Sequence, residues 1–388
     1  MQPGLSRRQL LASIGIAGGV VCVGLDHFLS APLAATAQFS GGEFLGVVPF
    51  TSEGLLPLDQ ITGDELDGRL YTDLSKLAPG RLATSAPDFY VRTRASSLLK
   101  DGDLRSVQLQ GISGDPVALG AGELRARARP LGLHLMECAG NTREAHFGLM
   151  SVANWTGVPL IELLDRLPAS PVSRFLVSGF DRYASPSTTS IPGASWIFSL
   201  DEIHSSRAFL AVAMDGNPLG RDHGAPVRLV VPGWYGCACI KWVDEIRQVG
   251  QDAETTSQMR EYAFRTHQQG VPQLAKEFQP AVIDQAAMPI RVEKWRVDHK
   301  LQYRVVGILW GGSAPVKHLE IRFNPEENYV PVEHVRQTAN DPWSFWQHRW
   351  NPKSPGTYLI RLRVADPGVR TRRLDMGFYV REVDIREV

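Results

Sequence analysis

The chain has 388 residues, with 41 Lys and Arg against 41 Asp and Glu. That balance excludes the basic excess of a nucleic-acid binder, and the length suits two domains with substantial cores. Besides Cys138 there are three cysteines, Cys22, Cys237 and Cys239, none near it in sequence, so a pairwise zinc knuckle is excluded there.

The N-terminus reads as an export signal. "SRRQLL" (Ser6 to Leu11) puts paired arginines before an apolar run from Leu10 to Leu25, and the small residues Ala35, Thr36 and Ala37 suit cleavage. The run stops at Asp26, short of the roughly 20 residues a spanning helix needs. Twin arginines after a polar residue predict the Tat route to the periplasm. Cys22 follows Val21 rather than a small residue, which argues against a lipoprotein anchor. Tat export carries folded proteins, and the usual reason to fold first is a cofactor inserted in the cytoplasm. No further apolar span follows, so the mature chain is expected to lack a membrane segment.

From Gln38 to about Ser85 the chain is turn-rich. "PDFYVRTR" (Pro87 to Arg94) reads as a short strand or loop. Leu160, Leu163, Leu164 and Leu167 fall at i, i+3, i+4 and i+7 after Pro159, predicting a helix. "RFLVSGFD" predicts a strand whose loop presents Asp181, and "AFLAVAMDGNPL" a strand entering an Asp-Gly turn. "APVRLVVPGWYGCACIKWV" predicts two strands separated by Pro232 to Gly236, with Cys237 and Cys239 sharing a strand face. This mixture predicts an α+β core.

The character changes near Pro272. After about Pro289 short alternating runs follow: "QYRVVGILW", "KHLEIRF", "SFWQHRW" and "TYLIRLRVAD". In the last, Ile360, Leu362 and Val364 would face inward and Arg361 and Arg363 water. Such strands suit an immunoglobulin-like β-sandwich. The expected organisation is a signal peptide over 1–37, a catalytic segment over 38–275 and a sandwich over 285–388.

In an oxidising compartment an unpaired reactive thiol is a liability unless something occupies it. Arg143 and the amides near Gly140 would favour a thiolate, the form that binds metals. Cys138 is therefore either a small buried filler or the single protein ligand of a metal whose cofactor supplies the rest. Cys237 and Cys239 read as packing residues rather than a metal site or a strained disulfide.

"ECAGN" (Glu137 to Asn141), "NWTGVPLIELLDRL" and "GRDHGAPVRLVVPGWYGCACIKWVDEI" in that order resemble the sulfite oxidase family of molybdopterin-dependent oxidoreductases. The resemblance spans roughly Pro87 to His267, and the following sandwich resembles that family's dimerisation domain, implying a homodimer. It implies a molybdenum-molybdopterin cofactor with Cys138 as the only protein ligand to the metal. Arg92 and Arg143 match family arginines at the substrate pocket, and Tyr262 falls at the position of its active-site tyrosine. Arg94, Asp181, His223, Arg228 and Lys241 match positions that contact the pterin. A buried dianionic phosphate needs several such cations.

Three departures bear on the substrate. Thr93 and Arg94 stand where the family often has Asn-His. The family's tryptophan before "WTG" is missing from a shortened "EAHFGLMSVAN". No tryptophan-asparagine-arginine pattern occurs near the C-terminus, where Arg370, Arg372 or Arg373 would have to substitute. No cytochrome b5 histidine pair or Cys-x-x-Cys-His haem motif occurs, so electrons are expected to leave to a separate acceptor such as cytochrome c. The expected activity is oxidation of a small anion, sulfite. Reduction of S- or N-oxides on the same scaffold is the enzymic alternative, and a non-catalytic exported binding protein the alternative of another class.

Overall fold

The computed structural model describes residues 42–58, 69–92, 106–167, 174–180, 194–335 and 342–388. The signal segment over 1–37, Arg94 and Asp181 lie outside them. The described elements are mostly strands with a few short helices, the longest α-helices having seven residues (Ala121–Arg127 and Leu200–Ser206). None is long and apolar enough to cross a membrane.

Two sheets build the first half. In one, the order is Ser195–Ser199, Arg174–Gly179, Val243–Val249, Ser106–Gln110, Val117–Gly120, with a single parallel pairing between Val243–Val249 and Ser106–Gln110. In the other, Asn217–Pro218, Phe209–Met214, Met150–Pro159 and Arg129–Glu137 lie side by side, and Arg228–Val230 pairs with Phe209–Met214. Asp215 and Gly216 both adopt positive φ (51° and 77°), the twist a tight hairpin turn requires, so the expected Asp-Gly turn forms.

Two further five-stranded sheets form the sandwich. One is ordered Glu43–Val48, Ala286–Val297, Lys300–Trp310, Trp343–Trp350, His334–Val335. The other is ordered Val330–Pro331, Leu319–Arg322, Gly356–Val364, Arg381–Ile385, Phe50–Thr51. In Gly356–Val364, Tyr358, Ile360 and Leu362 are buried while Arg361 and Arg363 are exposed, the period of two expected of a half-buried strand. Residues 43–51, grouped by sequence with the catalytic segment, add an edge strand to each sandwich sheet. One buried apolar cluster runs through all four sheets, and 42–388 form one compact unit.

Two local expectations differ from the structure. The leucine-spaced helix closes at Leu164, after which Arg166 and Leu167 bond the carbonyls three residues back, at 3.2 and 2.9 Å. Leu167 is still buried, but on a tightened last turn. The second apolar run, around Cys237, is no strand: Gly236–Ala238 is a 3-10 turn, with Ala238 N–H bonded to Tyr235 O at 2.9 Å.

Candidate active site

The Arg129–Glu137 strand ends one residue before Cys138, and the chain returns at Met150, which pairs with Glu137. Backbone bonds pin the loop between them: Cys138 N–H to Leu149 O and Asn141 N–H to Cys138 O, both 2.9 Å. Asn141 is fully buried; its Oδ1 accepts from Leu149 N–H at 3.0 Å and its Nδ2 reaches Glu137 Oε1 at 3.4 Å. "ECAGN" is thus a turn closed by its own asparagine.

Glu137, also fully buried, is held from the sandwich side. Trp310 Nε1 donates to its Oε2 at 2.8 Å and the Tyr379 hydroxyl to its Oε1 at 2.7 Å. Arg373, buried, donates to Ala139 O at 3.1 Å. Of the three C-terminal arginines weighed from sequence, Arg373 reaches the motif; Arg372 is exposed, and Arg370 lines a separate cleft with His267 and Asp284.

Cys138 opens into a cavity of about 160 Å³ that is also lined by Arg92, His223, Arg228, Lys241 and Tyr262. Six of the nine sequence candidates therefore meet in one chamber, together with Cys237 and Cys239. An adjoining cavity of about 270 Å³ shares Arg92 and Tyr262 and adds Arg69 and Arg265. Arg143 lines neither; its guanidinium donates to Val380 O at 3.1 Å.

Burial pushes the Cys138 thiol up, opposed by the Gly140 amide (3.3 Å from Sγ), then Arg92 and Arg265. The cations acting on the thiol are thus Arg92 and Arg265 rather than Arg143, and burial favours its protonated form. Arg265 occupies the space beside Gly140: a Cβ there would lie 2.7 Å from its Nη1. Burial, then the nearby Cys138, lifts the Tyr262 phenol well above its ordinary value, so Tyr262 stays an O–H donor.

The opposite wall is a cationic cradle. Gly224, at φ 99°, turns the chain so that Arg228 and Lys241 converge on it; a Cβ there would lie 3.0–3.1 Å from both of their Cβ atoms. Arg228 is 3% exposed and donates to His223 O at 3.1 Å, while its buried Nε has no partner among the described residues. Lys241 Nζ donates to Asp222 O at 2.9 Å. His223 is pushed down to about 4 by burial, then Arg228 and Lys241, and is neutral near pH 7. Its Nε2 lies 3.1 Å from Ala86 O, which only accepts, so the ring carries its proton there.

Among the described residues no group of three or more His, Cys, Asp or Glu could cage a metal. A metal at Cys138 would therefore take its remaining ligands from elsewhere. The Cys138 thiol, the cations Arg92, Arg228 and Lys241 and a buried orphaned N–H fit a cofactor that brings its own sulfurs and an anionic phosphate.

Among the lining residues that sequence reasoning missed are Arg69, Tyr90, Gln258, Glu261 and Arg265. Arg265 was within reach, three residues past Tyr262 in a helical stretch and hence on its side of the chain. Arg69 carries no motif.

Residues 100–257 match the family model "Oxidoreductase molybdopterin binding domain". The chain is 28% identical over 192 residues to "Sulfite oxidase, mitochondrial" of Homo sapiens, covering 46% of this chain and 35% of that protein. It is 38% identical over 129 residues to "Protein-methionine-sulfoxide reductase catalytic subunit MsrP" of Xanthomonas campestris pv. campestris, covering 30% and 39%. The chain thus spans between a third and two-fifths of the length of these two relatives. The crystal structure of the sulfane dehydrogenase SoxCD from Paracoccus pantotrophus shares its fold, with a TM-score of 0.62 at 18% identity over 82% of each chain.

Proposed function

From a chain of the sulfite oxidase family of molybdopterin-dependent oxidoreductases, with molybdopterin-bound molybdenum as its cofactor, we propose an enzyme that oxidises sulfite to sulfate. The observation that carries this reading is the cavity of about 270 Å³ beside the Cys138 loop, lined by Arg69, Arg92 and Arg265 with the carboxylates Glu144 and Glu261. Three guanidiniums against two carboxylates leave an excess of positive charge that favours an oxyanion, whose oxygens match the planar forks.

When bound, the cofactor supplies oxygen transfer and takes up the two electrons released as sulfite and water become sulfate and two protons. The chain's own residues bind and orient. Cys138 holds the metal, and Arg228, Lys241 and His223 line the side suited to the phosphate. Arg94 and Asp181 are assigned to the pterin by resemblance alone. Arg92 faces both cavities and draws the anion toward the metal, and Tyr262, kept protonated, donates a hydrogen bond where they meet. Arg143 acts through the backbone at Val380, as a positioning residue.

We further propose Tat export to the periplasm, release of electrons singly to an external acceptor such as cytochrome c, and a homodimer formed through the sandwich over 285–388, with 38–275 as the catalytic part. A second reading, reduction of S- or N-oxides, is favoured by the 38% identity over 129 residues to the methionine-sulfoxide reductase catalytic subunit. The test is molybdenum content followed by sulfite turnover with cytochrome c. Molybdenum-loaded protein that is inert to sulfite yet reduces methionine sulfoxide would replace the first reading with the second.

A further inference from the structure

Gln258 is the one uncharged amide side chain lining the Cys138 cavity among the described residues. It sits in the short helix Ser257–Tyr262, one turn before Tyr262, and that helix is fixed by its N-cap: Thr256 Oγ1 accepts from Met259 N–H at 3.2 Å and donates to Ser195 O at 2.7 Å. The side chain is only 9% exposed. Its Nε2 donates to Cys237 O at 2.5 Å. A carbonyl oxygen only accepts, so this bond fixes which end of the amide is nitrogen. The other end, Oε1, is buried and has no partner among the described residues.

A buried amide oxygen left without a donor is costly, and native structures satisfy nearly all such atoms. The rest of the cavity already offers donors: Arg92, Arg228, Lys241 and the Tyr262 hydroxyl suit anionic oxygens. A neutral acceptor locked in place suits something different, the neutral N–H groups of a heterocycle. We propose that Gln258 is a cofactor-binding residue whose side-chain carbonyl accepts a hydrogen bond from an N–H of the pterin. Cys237 contributes its backbone carbonyl, which orients the amide. This inference rests on the molybdopterin cofactor and not on the substrate, so it stands or falls separately from the sulfite reading.

The experiment compares wild type with Gln258→Met, which keeps the length and apolar stem but removes the amide. Two quantities are measured: pterin lost from the holoenzyme on dilution, followed by fluorescence of the oxidised pterin, and the rise in melting temperature when cofactor-free protein is reconstituted. The expected result is loss of pterin about fivefold to tenfold faster, as for one buried hydrogen bond, with a smaller rise on reconstitution. A purely structural role would lower the melting temperatures of the empty and loaded forms alike; unchanged pterin retention and an unchanged rise would overturn the proposal. Gln258→Asn, too short to reach from Cys237 O into the cavity, supplies the same comparison should the methionine variant not fold.

Discussion

Glu293 and Cys138 are both buried and both close to arginines, yet their surroundings are built to opposite rules. At Glu293, in the sandwich, Arg291 Nε donates to Oε1 at 2.8 Å, Arg304 Nε to Oε2 at 2.7 Å and Trp295 Nε1 to Oε2 at 3.0 Å. Burial would raise this carboxyl, but Arg304 and Arg291 outweigh it and hold it below its ordinary value. Arg291 spends its other nitrogen on Ser75 O and Leu77 O. Around Cys138 the polar atoms are left incomplete: Arg228 Nε and Gln258 Oε1 have no partner among the described residues, and burial keeps the thiol protonated. A buried charge with its partners supplied belongs to the scaffold. A buried polar atom lacking them among the described residues is also found in the sandwich, at Trp343 Nε1 and His348 Nδ1, but at Arg228 and Gln258 it belongs to a residue that lines a cavity able to hold a partner.

The sharpest test of the contrast is Cys138→Ser. A hydroxyl is a harder and far less acidic ligand than a thiol, so sulfite turnover should fall to background while the fold and its melting temperature survive. Full turnover would remove Cys138 from the metal site. The mirror experiment is Glu293→Gln, which strands two buried guanidiniums. It should lower unfolding stability by about 3–5 kcal/mol, read by urea titration, with turnover per folded molecule unchanged; a specific loss of turnover would erase the distinction between the two regions.

His223 sharpens the comparison by pH. Its folded value, about 4, lies below the ordinary 6.5, so the unfolded chain binds the proton first as pH falls. Stability is therefore present above 6.5 and is lost progressively down to about 4, by about 2–3 kcal/mol. Cofactor-free His223→Gln should show a shallower loss over that window than cofactor-free wild type; identical slopes would mean that His223 titrates normally.

Among the arginines the effects should be smaller and should divide by placement. Arg92→Gln and Arg265→Gln should each raise KM for sulfite about tenfold to a hundredfold, the equivalent of a charge-assisted hydrogen bond of about 1.5–3 kcal/mol. Arg143→Gln should leave KM unchanged and cost about 1 kcal/mol of stability through the lost bond to Val380. An equal rise in KM for Arg143→Gln would restore it to the substrate.

Much of this was legible because the chemistry is local. Cys138, His223, Arg228 and Lys241 lie inside motifs whose turns place them, and the strand of Ile360 and Leu362 declares itself by alternation. What was not legible depends on long-range closure. Arg143 looks like a pocket residue until the C-terminal strand supplies Val380 O. Cys237 and Cys239 look like a strand because the run is apolar, yet Gly236–Ala238 turns, at a glycine where a Cβ would meet the Tyr90 hydroxyl at 2.7 Å, an approach that only the fold reveals. Gln258 has no motif at all, and its meaning lies in an atom left over after packing.

Four contacts that clamp the Cys138 turn come from far along the chain: Arg265, Trp310, Arg373 and Tyr379 lie 126, 173, 234 and 242 positions from their partners Ala139 and Glu137. During synthesis the cysteine therefore leaves the ribosome long before the residues that shape its loop. A nascent chain that ends before Arg373 has neither the hydroxyl that steadies Glu137 nor the second of the two guanidiniums that hold Ala139 O. Chains cut short upstream of Arg373 should therefore have a looser Cys138 turn than the full chain, read as faster proteolytic cleavage there.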